Sequence, residues 1–251
     1  MTMKNKITFI LFLLLMLSSC NKTKYFSGSN SITEDFENID SISDLFKNDK
    51  WSYYQQTENG SYITVDTTIK HLGQQALKFF ASKGTISKSD LANNKMSFWK
   101  GETVEISAWY YLADSNQLDY VFLFDIEERT SIGANPGIRM AIDENGYLIF
   151  ERNKYGESTI HQTNKIKFPK NEWVEIKIEI SLSQKNDGYI KLWQNSDLLI
   201  DKADIQTLPK DKLYIIQGTK GMYQSLQFGI TATTSATDLT LYMDDIEVKV
   251  K

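Results

Sequence analysis

From about Thr33 onward, apolar and polar residues alternate with period two in one short segment after another, the signature of half-buried β-strands. Val104, Ile106, Ala108, Tyr110 and Leu112 alternate with Glu105, Ser107, Trp109 and Tyr111. Val174, Ile176, Ile178 and Ile180 alternate in the same way with Glu175, Lys177, Glu179 and Ser181. Each pattern sends one row of side chains into a core and leaves the other outside. Helical periodicity is nearly absent; the one short helix predicted is Ser41 to Phe46, with Ser41 as N-cap.

Turn residues fall where such strands must reverse. Asp143-Glu144-Asn145-Gly146 separates two apolar runs, and Asn-Gly is a strong hairpin signal because both residues tolerate positive φ. Asn186-Asp187-Gly188 and Gln194-Asn195-Ser196-Asp197 bracket the segment through Trp193. Near the end, Leu239, Leu241 and Met243 are apolar at odd positions, whereas Ile246, Val248 and Val250 are apolar at even ones. The register therefore slips at Asp244-Asp245, and a β-bulge there keeps both halves of the strand facing the core. The fold class predicted is all-β, two packed antiparallel sheets.

The first residues do not share this pattern. Lys4 and Lys6 precede an almost unbroken apolar run, Ile7 to Leu17, too short for the roughly 20 residues of a membrane span and typical of a secretory signal. Leu17-Ser18-Ser19-Cys20 resembles the bacterial lipobox, and Cys20 is the only cysteine among 251 residues. Residues 1–19 thus read as a lipoprotein signal peptide, 20–31 as lipidated Cys20 and a polar tether, and 32–251 as one domain. The expected location is a bacterial cell envelope, with the outer membrane favoured, and the lipid is the only expected membrane contact. The formal net charge of −4 becomes more acidic once Lys4 and Lys6 are removed, which argues against nucleic acid as a partner.

Several segments together resemble concanavalin A-like jelly-roll β-sandwich domains of secreted glycan-binding and glycan-cleaving proteins: Asp35-Phe36-Glu37, His71 to Phe79, Glu172 to Ile176, Gly188 to Trp193 and Tyr242 to Ile246. Within that class the chain is similar to heparin-lyase-like and alginate-lyase-like polysaccharide lyases. Lys88-Ser89-Asp90-Leu91 resembles their Arg-x-Glu-Leu, Asp125-Ile126-Glu127 stands where they carry Gln-x-His, and Gln227 to Thr231 where they carry Gly-x-Tyr. Glu127 and Thr231 thereby replace the His and Tyr that usually transfer protons in such enzymes. Lys220-Gly221-Met222-Tyr223 is similar to a Lys-x-Gly-x-Tyr of alginate lyases, which makes Tyr223 a substitute phenol.

The resemblance implies a groove lined by Lys88, Asp90, Asp125, Glu127, Arg129, Arg139 and Gln227, with Glu127 and Tyr223 as the catalytic pair if the chain is an enzyme. Strand parity puts Asp125, Glu127 and Arg129 on one face, with Phe122, Phe124 and Ile126 on the other. A solvated face of cross-strand ion pairs is an equally open reading. Trp109 and Trp193 occupy the polar parity of their strands and suit stacking on sugar rings. The two histidines, His71 and His161, read as ordinary packed or surface residues. Asp35, Glu37 and Asp245 resemble a structural calcium site of carbohydrate-binding sandwiches, or equally an acid-rich sheet edge. The expected function is polysaccharide binding on the concave sheet. The alternatives are β-elimination of a uronate-containing glycan and, less favoured, glycoside hydrolysis.

Overall fold

The computed structural model describes residues 31–47, 50–58, 60–113, 118–129, 135–210, 221–234 and 236–251. The residues read as signal peptide, lipidated Cys20 and tether, as far as Asn30, lie outside the described residues, as does Lys220. The strands in chain order are β1 (Ser31–Glu34), β2 (Tyr53–Thr57), β3 (Tyr62–Asp66), β4 (Ala76–Ala81), β5 (Ser87–Asn93) and β6 (Phe98–Trp99). They continue with β7 (Thr103–Leu112), β8 (Val121–Glu127), β9 (Gly137–Ile142), β10 (Leu148–Glu151), β11 (Ile160–His161) and β12 (Trp173–Ser181). The last are β13 (Gly188–Gln194), β14 (Asp197–Ile205), β15 (Met222–Tyr223), β16 (Ser225–Thr233) and β17 (Leu239–Val250).

Two large antiparallel sheets result. One runs β14-β13-β12-β7-β17-β4-β3, with β1 added on β17 to make eight strands; the other runs β11-β10-β9-β8-β16-β5-β2. β6 and β15 form a separate two-stranded ribbon. The alternation read from the sequence is realised: in β7 and β12 every second residue is buried. Their inward rows meet β4, β8 and β16 in one core, where Trp51, Phe79, Phe124 and Phe228 are essentially inaccessible. Trp51 and Phe228 meet edge to face, their centroids 6.1 Å apart. The architecture is a jelly-roll β-sandwich.

Turn chemistry works as the residues dictate. Asp143 receives the backbone N–H groups of Asn145 (2.9 Å) and Tyr147 (2.8 Å), and Gly146 takes φ 86°, closing β9 onto β10. The β13–β14 turn uses Asn195 at φ 52°. The predicted helix is one turn of 3-10 helix, Ile42–Phe46, whose entry is fixed by Asp44 accepting the Ser41 N–H (2.8 Å) and hydroxyl (2.9 Å). The bulge expected at Asp244-Asp245 is present: pairing with β7 slips between Asp244 and Glu247, and Asp245 takes φ 47°. Beyond it, β17 exchanges its neighbour β4 for β1, with Ser31 opposite Lys249 and Glu34 opposite Ile246. Glu34 closes β1 like a clasp, accepting the Phe36 N–H (3.1 Å) and the Trp51 indole N–H (3.2 Å) beside Lys50 (3.4 Å).

Candidate active site

The three segments singled out by resemblance meet on the outer face of the seven-stranded sheet. Register places Asp90 opposite Gly229, Gln227 opposite Asp125, and Asp125 opposite Arg139, so side chains of β5, β16, β8 and β9 lie in adjoining rows. A groove of about 530 Å³ opens there, lined by Lys88, Asp125, Glu127, Arg139, Glu151 and Lys154 together with Tyr120 and Phe122. Three cations thus face three carboxylates.

These charges are held away from water. Asp125 and Glu127 are 2% and 4% exposed. The Arg139 Nε–H donates to both Asp125 oxygens at 3.2 Å, and its guanidinium carbon lies 3.5 Å from the centroid of the Phe122 ring. Asp125 also accepts the Thr231 hydroxyl at 2.9 Å, so the residue standing at the family's tyrosine position orients a carboxylate. Glu127 is ion-paired with Lys154. Burial and the neighbouring Asp125 push the Glu127 carboxyl above the ordinary carboxylate range, and Lys154 and Arg139 oppose this. Gly137 lies opposite Glu127, and a Cβ there would stand 2.2 Å from the Ile126 carbonyl oxygen and 2.9 Å from Glu127 Cγ. Only glycine lets β9 approach so closely.

Asp90 and Gln227, expected in the groove, lie on the adjoining strands β5 and β16 but are not among the residues that line it. Asp90 is fully buried, neither carboxylate oxygen has a hydrogen-bond partner, and desolvation raises its pKa well above normal. The Gln227 Oε1 atom is likewise unpartnered, while its amide N–H donates to Ser225 (3.2 Å). The Lys88 ammonium donates to Gln55 at 3.2 Å on the neighbouring edge strand.

Other sequence expectations fall elsewhere. Trp109 belongs to β7 of the opposite sheet, where His71 stacks on its indole at 3.7 Å, so it does not line this groove. Outward parity identifies a face but not which of two sheets carries it. Tyr223 is fully buried and its hydroxyl donates to the Thr207 carbonyl at 2.6 Å, so the phenol is not presented to the groove. Arg129 stands exposed beyond the end of β8 and is not among the groove-lining residues. Phe122 shares the face of Asp125, contrary to simple alternation, because pairing of β8 with β9 slips between Phe122 and Phe124. His161 lies at the sheet edge on β11, opposite Ile149.

Two groove residues carry no signal that alternation could reveal. Lys154 projects from a 3-10 turn, Asn153–Tyr155, that follows β10, and reaches back to Glu127. Tyr120 precedes β8 at φ 41°, 38% exposed.

The carboxylates proposed as calcium ligands are committed to protein donors. Glu37 accepts the backbone N–H groups of Gln74 (2.9 Å) and Gln75 (3.2 Å), Asp35 accepts that of Glu37 (3.2 Å), and Asp245 pairs with His71 Nδ1 (2.8 Å). Among the described residues, no three His, Cys, Asp or Glu side chains come together as a metal-holding group, so any calcium here would draw on backbone carbonyls and water as well as these carboxylates.

Comparison with known proteins places this geometry. The chain resembles an endo-β-1,4-glucuronan lyase from the fungus Trichoderma reesei (TM-score 0.66, 14% identity, covering 87% of this chain and 94% of that one). It also resembles the cellulose-induced protein Cip1 (0.62, 16%, 86% and 96%) and the alginate lyase Aly36B (0.60, 12%, 89% and 98%). At these identities the likeness is one of fold. No curated protein sequence matches. A family model described as polysaccharide lyase matches residues 45–247, a span that includes every strand contributing to the groove, and the chain therefore belongs to the polysaccharide lyase family.

Proposed function

We propose that this chain cleaves a uronate-containing polysaccharide by β-elimination in the groove of the seven-stranded sheet. The observation that carries the reading is the buried Glu127–Lys154 pair beside Arg139, inside an open groove of a polysaccharide lyase family member. β-Elimination needs the uronate carboxylate neutralised, the C5 proton removed and the leaving oxygen at C4 protonated. Lys88 and Arg139 hold the carboxylate. Glu127 takes the C5 proton, for which a carboxylate above its ordinary pKa is suited. The C4–O bond breaks as the C4=C5 double bond forms, and the Lys154 ammonium protonates the departing oxygen.

Fold neighbours supply the substrate class. They include lyases of glucuronan and alginate, and Aly36B with one lysine and one tyrosine changed to alanine is solved with an alginate tetrasaccharide. The present groove also holds a lysine and an accessible tyrosine, Lys154 and Tyr120. Lipidation at Cys20 would keep the groove at the cell envelope, where polymeric substrate is met.

One observation favours a second reading, polysaccharide binding without cleavage. Among the described residues no histidine lines the groove, and the Tyr223 hydroxyl is committed to Thr207. Incubation of the purified protein with alginate, glucuronan and heparin, followed by ultraviolet absorbance of the unsaturated product, separates the two. Rising absorbance that disappears in Glu127→Gln supports the lyase. Retardation in polyuronate gels with flat absorbance supports binding alone.

A further inference from the structure

The function proposed above uses one outer face of the sandwich; the other carries a groove of its own. On the eight-stranded sheet, Glu247, Ser107, Lys177 and Trp193 stand directly opposite one another on β17, β7, β12 and β13, a line of about 14 Å at ordinary strand spacing. A cavity of about 480 Å³ follows this line, with Asn195 and Ser196 of the β13–β14 turn at its Trp193 end. We infer that this groove is a second glycan-binding site, centred on Trp193 and selective for a neutral sugar chain.

Trp193 differs from the other tryptophans of this face. Trp109 is covered by His71, and Trp173 contacts both Tyr111 (5.6 Å) and His71 (5.8 Å). Among the described residues Trp193 has no aromatic partner, and its ring is half-buried on the outward side of β13, opposite the exposed Leu198. A flat apolar ring at the wall of a polar groove matches the C–H face of a pyranose.

Groups for the hydroxyls surround it and are fixed. Asn195 Oδ1 accepts the Glu175 N–H at 3.0 Å and the Asn195 N–H returns to the Glu175 carbonyl at 2.7 Å, which leaves the Asn195 amide N–H₂ as a donor. Glu175 is paired with Lys177 (2.9 Å) and Glu247 with Lys249 (2.6 Å), and both carboxylates keep acceptor capacity for sugar hydroxyls. Charge sets the ligand class. Glu105, Glu175, Glu179 and Glu247 outnumber Lys177 and Lys249 among the lining residues, and with Lys251 paired to Glu105 (2.5 Å) an excess of one carboxylate remains, which disfavours a polyuronate. The opposite groove, by contrast, balances three cations against three carboxylates. A protein with both sites would hold a neutral wall polymer on one face while cleaving an acidic one on the other.

The test is affinity electrophoresis of the full chain in gels containing hydroxyethyl cellulose, laminarin or galactomannan, with alginate as the acidic comparison. Wild type should be retarded by at least one neutral polymer. Trp193→Ala should weaken that retardation at least about tenfold, and Trp193→Phe, which keeps a flat ring, should retain part of it. Glu127→Gln should leave it unchanged. Melting temperature and turnover of polyuronate should be unaltered in Trp193→Ala, so the result does not depend on whether the lyase reading holds. Retardation by none of the neutral polymers, retardation that survives Trp193→Ala, or loss in Glu127→Gln instead would overturn the assignment. So would Trp193-dependent retention by alginate alone.

Discussion

The two outer faces of this sandwich are built from the same residue types and use them in opposite ways. On the seven-stranded sheet Asp125 and Glu127 are nearly inaccessible, and they are paired with the partly buried cations Arg139 and Lys154. On the eight-stranded sheet the ammonium-bearing side chains of Lys177 and Lys249 are 51% and 50% exposed, though their ion pairs are as short. Burying charge costs several kcal/mol per ion unless it is compensated, whereas exposed pairs contribute close to nothing. Buried, perturbed charges are concentrated at functional sites, so burial separates these two sets of pairs where distance does not.

The comparison is broken most severely at Glu127. Glu127→Gln keeps the side-chain shape and should lower polyuronate turnover by about 10²- to 10⁴-fold with a modest change in melting temperature; retained turnover would remove Glu127 from the chemistry. Arg139→Met leaves Asp125 buried without its cation and should cost about 3–5 kcal/mol in urea denaturation. Adding Asp125→Asn should recover a substantial part of that loss, and an additive double mutant would contradict the coupling. Gly137→Ala, which must move β9 from beneath Glu127, should reduce both stability and turnover by more than Gly101→Ala reduces either. Gly101 takes φ 92°, but a Cβ there meets nothing within 4 Å.

Smaller effects sharpen the contrast on the other face. Asp244 is buried at the β17 bulge, and burial followed by the charge of Asp245 pushes its carboxyl up to about 6. Between its unfolded value near 3.8 and about 6, the unfolded state loses its proton first, so this group's contribution to stability falls as pH rises through that window. The difference in unfolding free energy between wild type and Asp244→Ala should therefore shrink from pH 4 to pH 6; a constant difference would contradict it. Lys177→Ala should change stability by less than about 1 kcal/mol, as for any solvated pair.

Much of this was legible from residues alone, for reasons that differ by place. β7 and β12 could be read because one of their faces is solvated, so polarity reports parity. The bulge at Asp244-Asp245 could be read because the apolar row changes from odd to even. The slip at Leu123 could not, since Val121-Phe122-Leu123-Phe124 is apolar throughout and buried on both sides, leaving parity without a marker. Lys88, Asp90, Asp125, Glu127, Arg139 and Gln227 were brought together by strands whose order is a property of the whole sheet. Lys154 escaped notice because its contact with Glu127 spans 27 residues and starts from a turn. Asn-Gly at 145–146 lay in plain view, being local chemistry.

The short first strand also has a mechanical consequence. Tension arriving along the chain ahead of Ser31 falls on β1, which holds β17 through four register pairs. A pull across the strand opens those pairs one after another, whereas a pull along it loads them together. The last of the four pairs is the strongest hold, because Glu34 is also gripped by Trp51 and Phe36, and there the force passes to the core. β1 is thus the segment that meets such a load first, with Ile32 packed into the core as its inner hold.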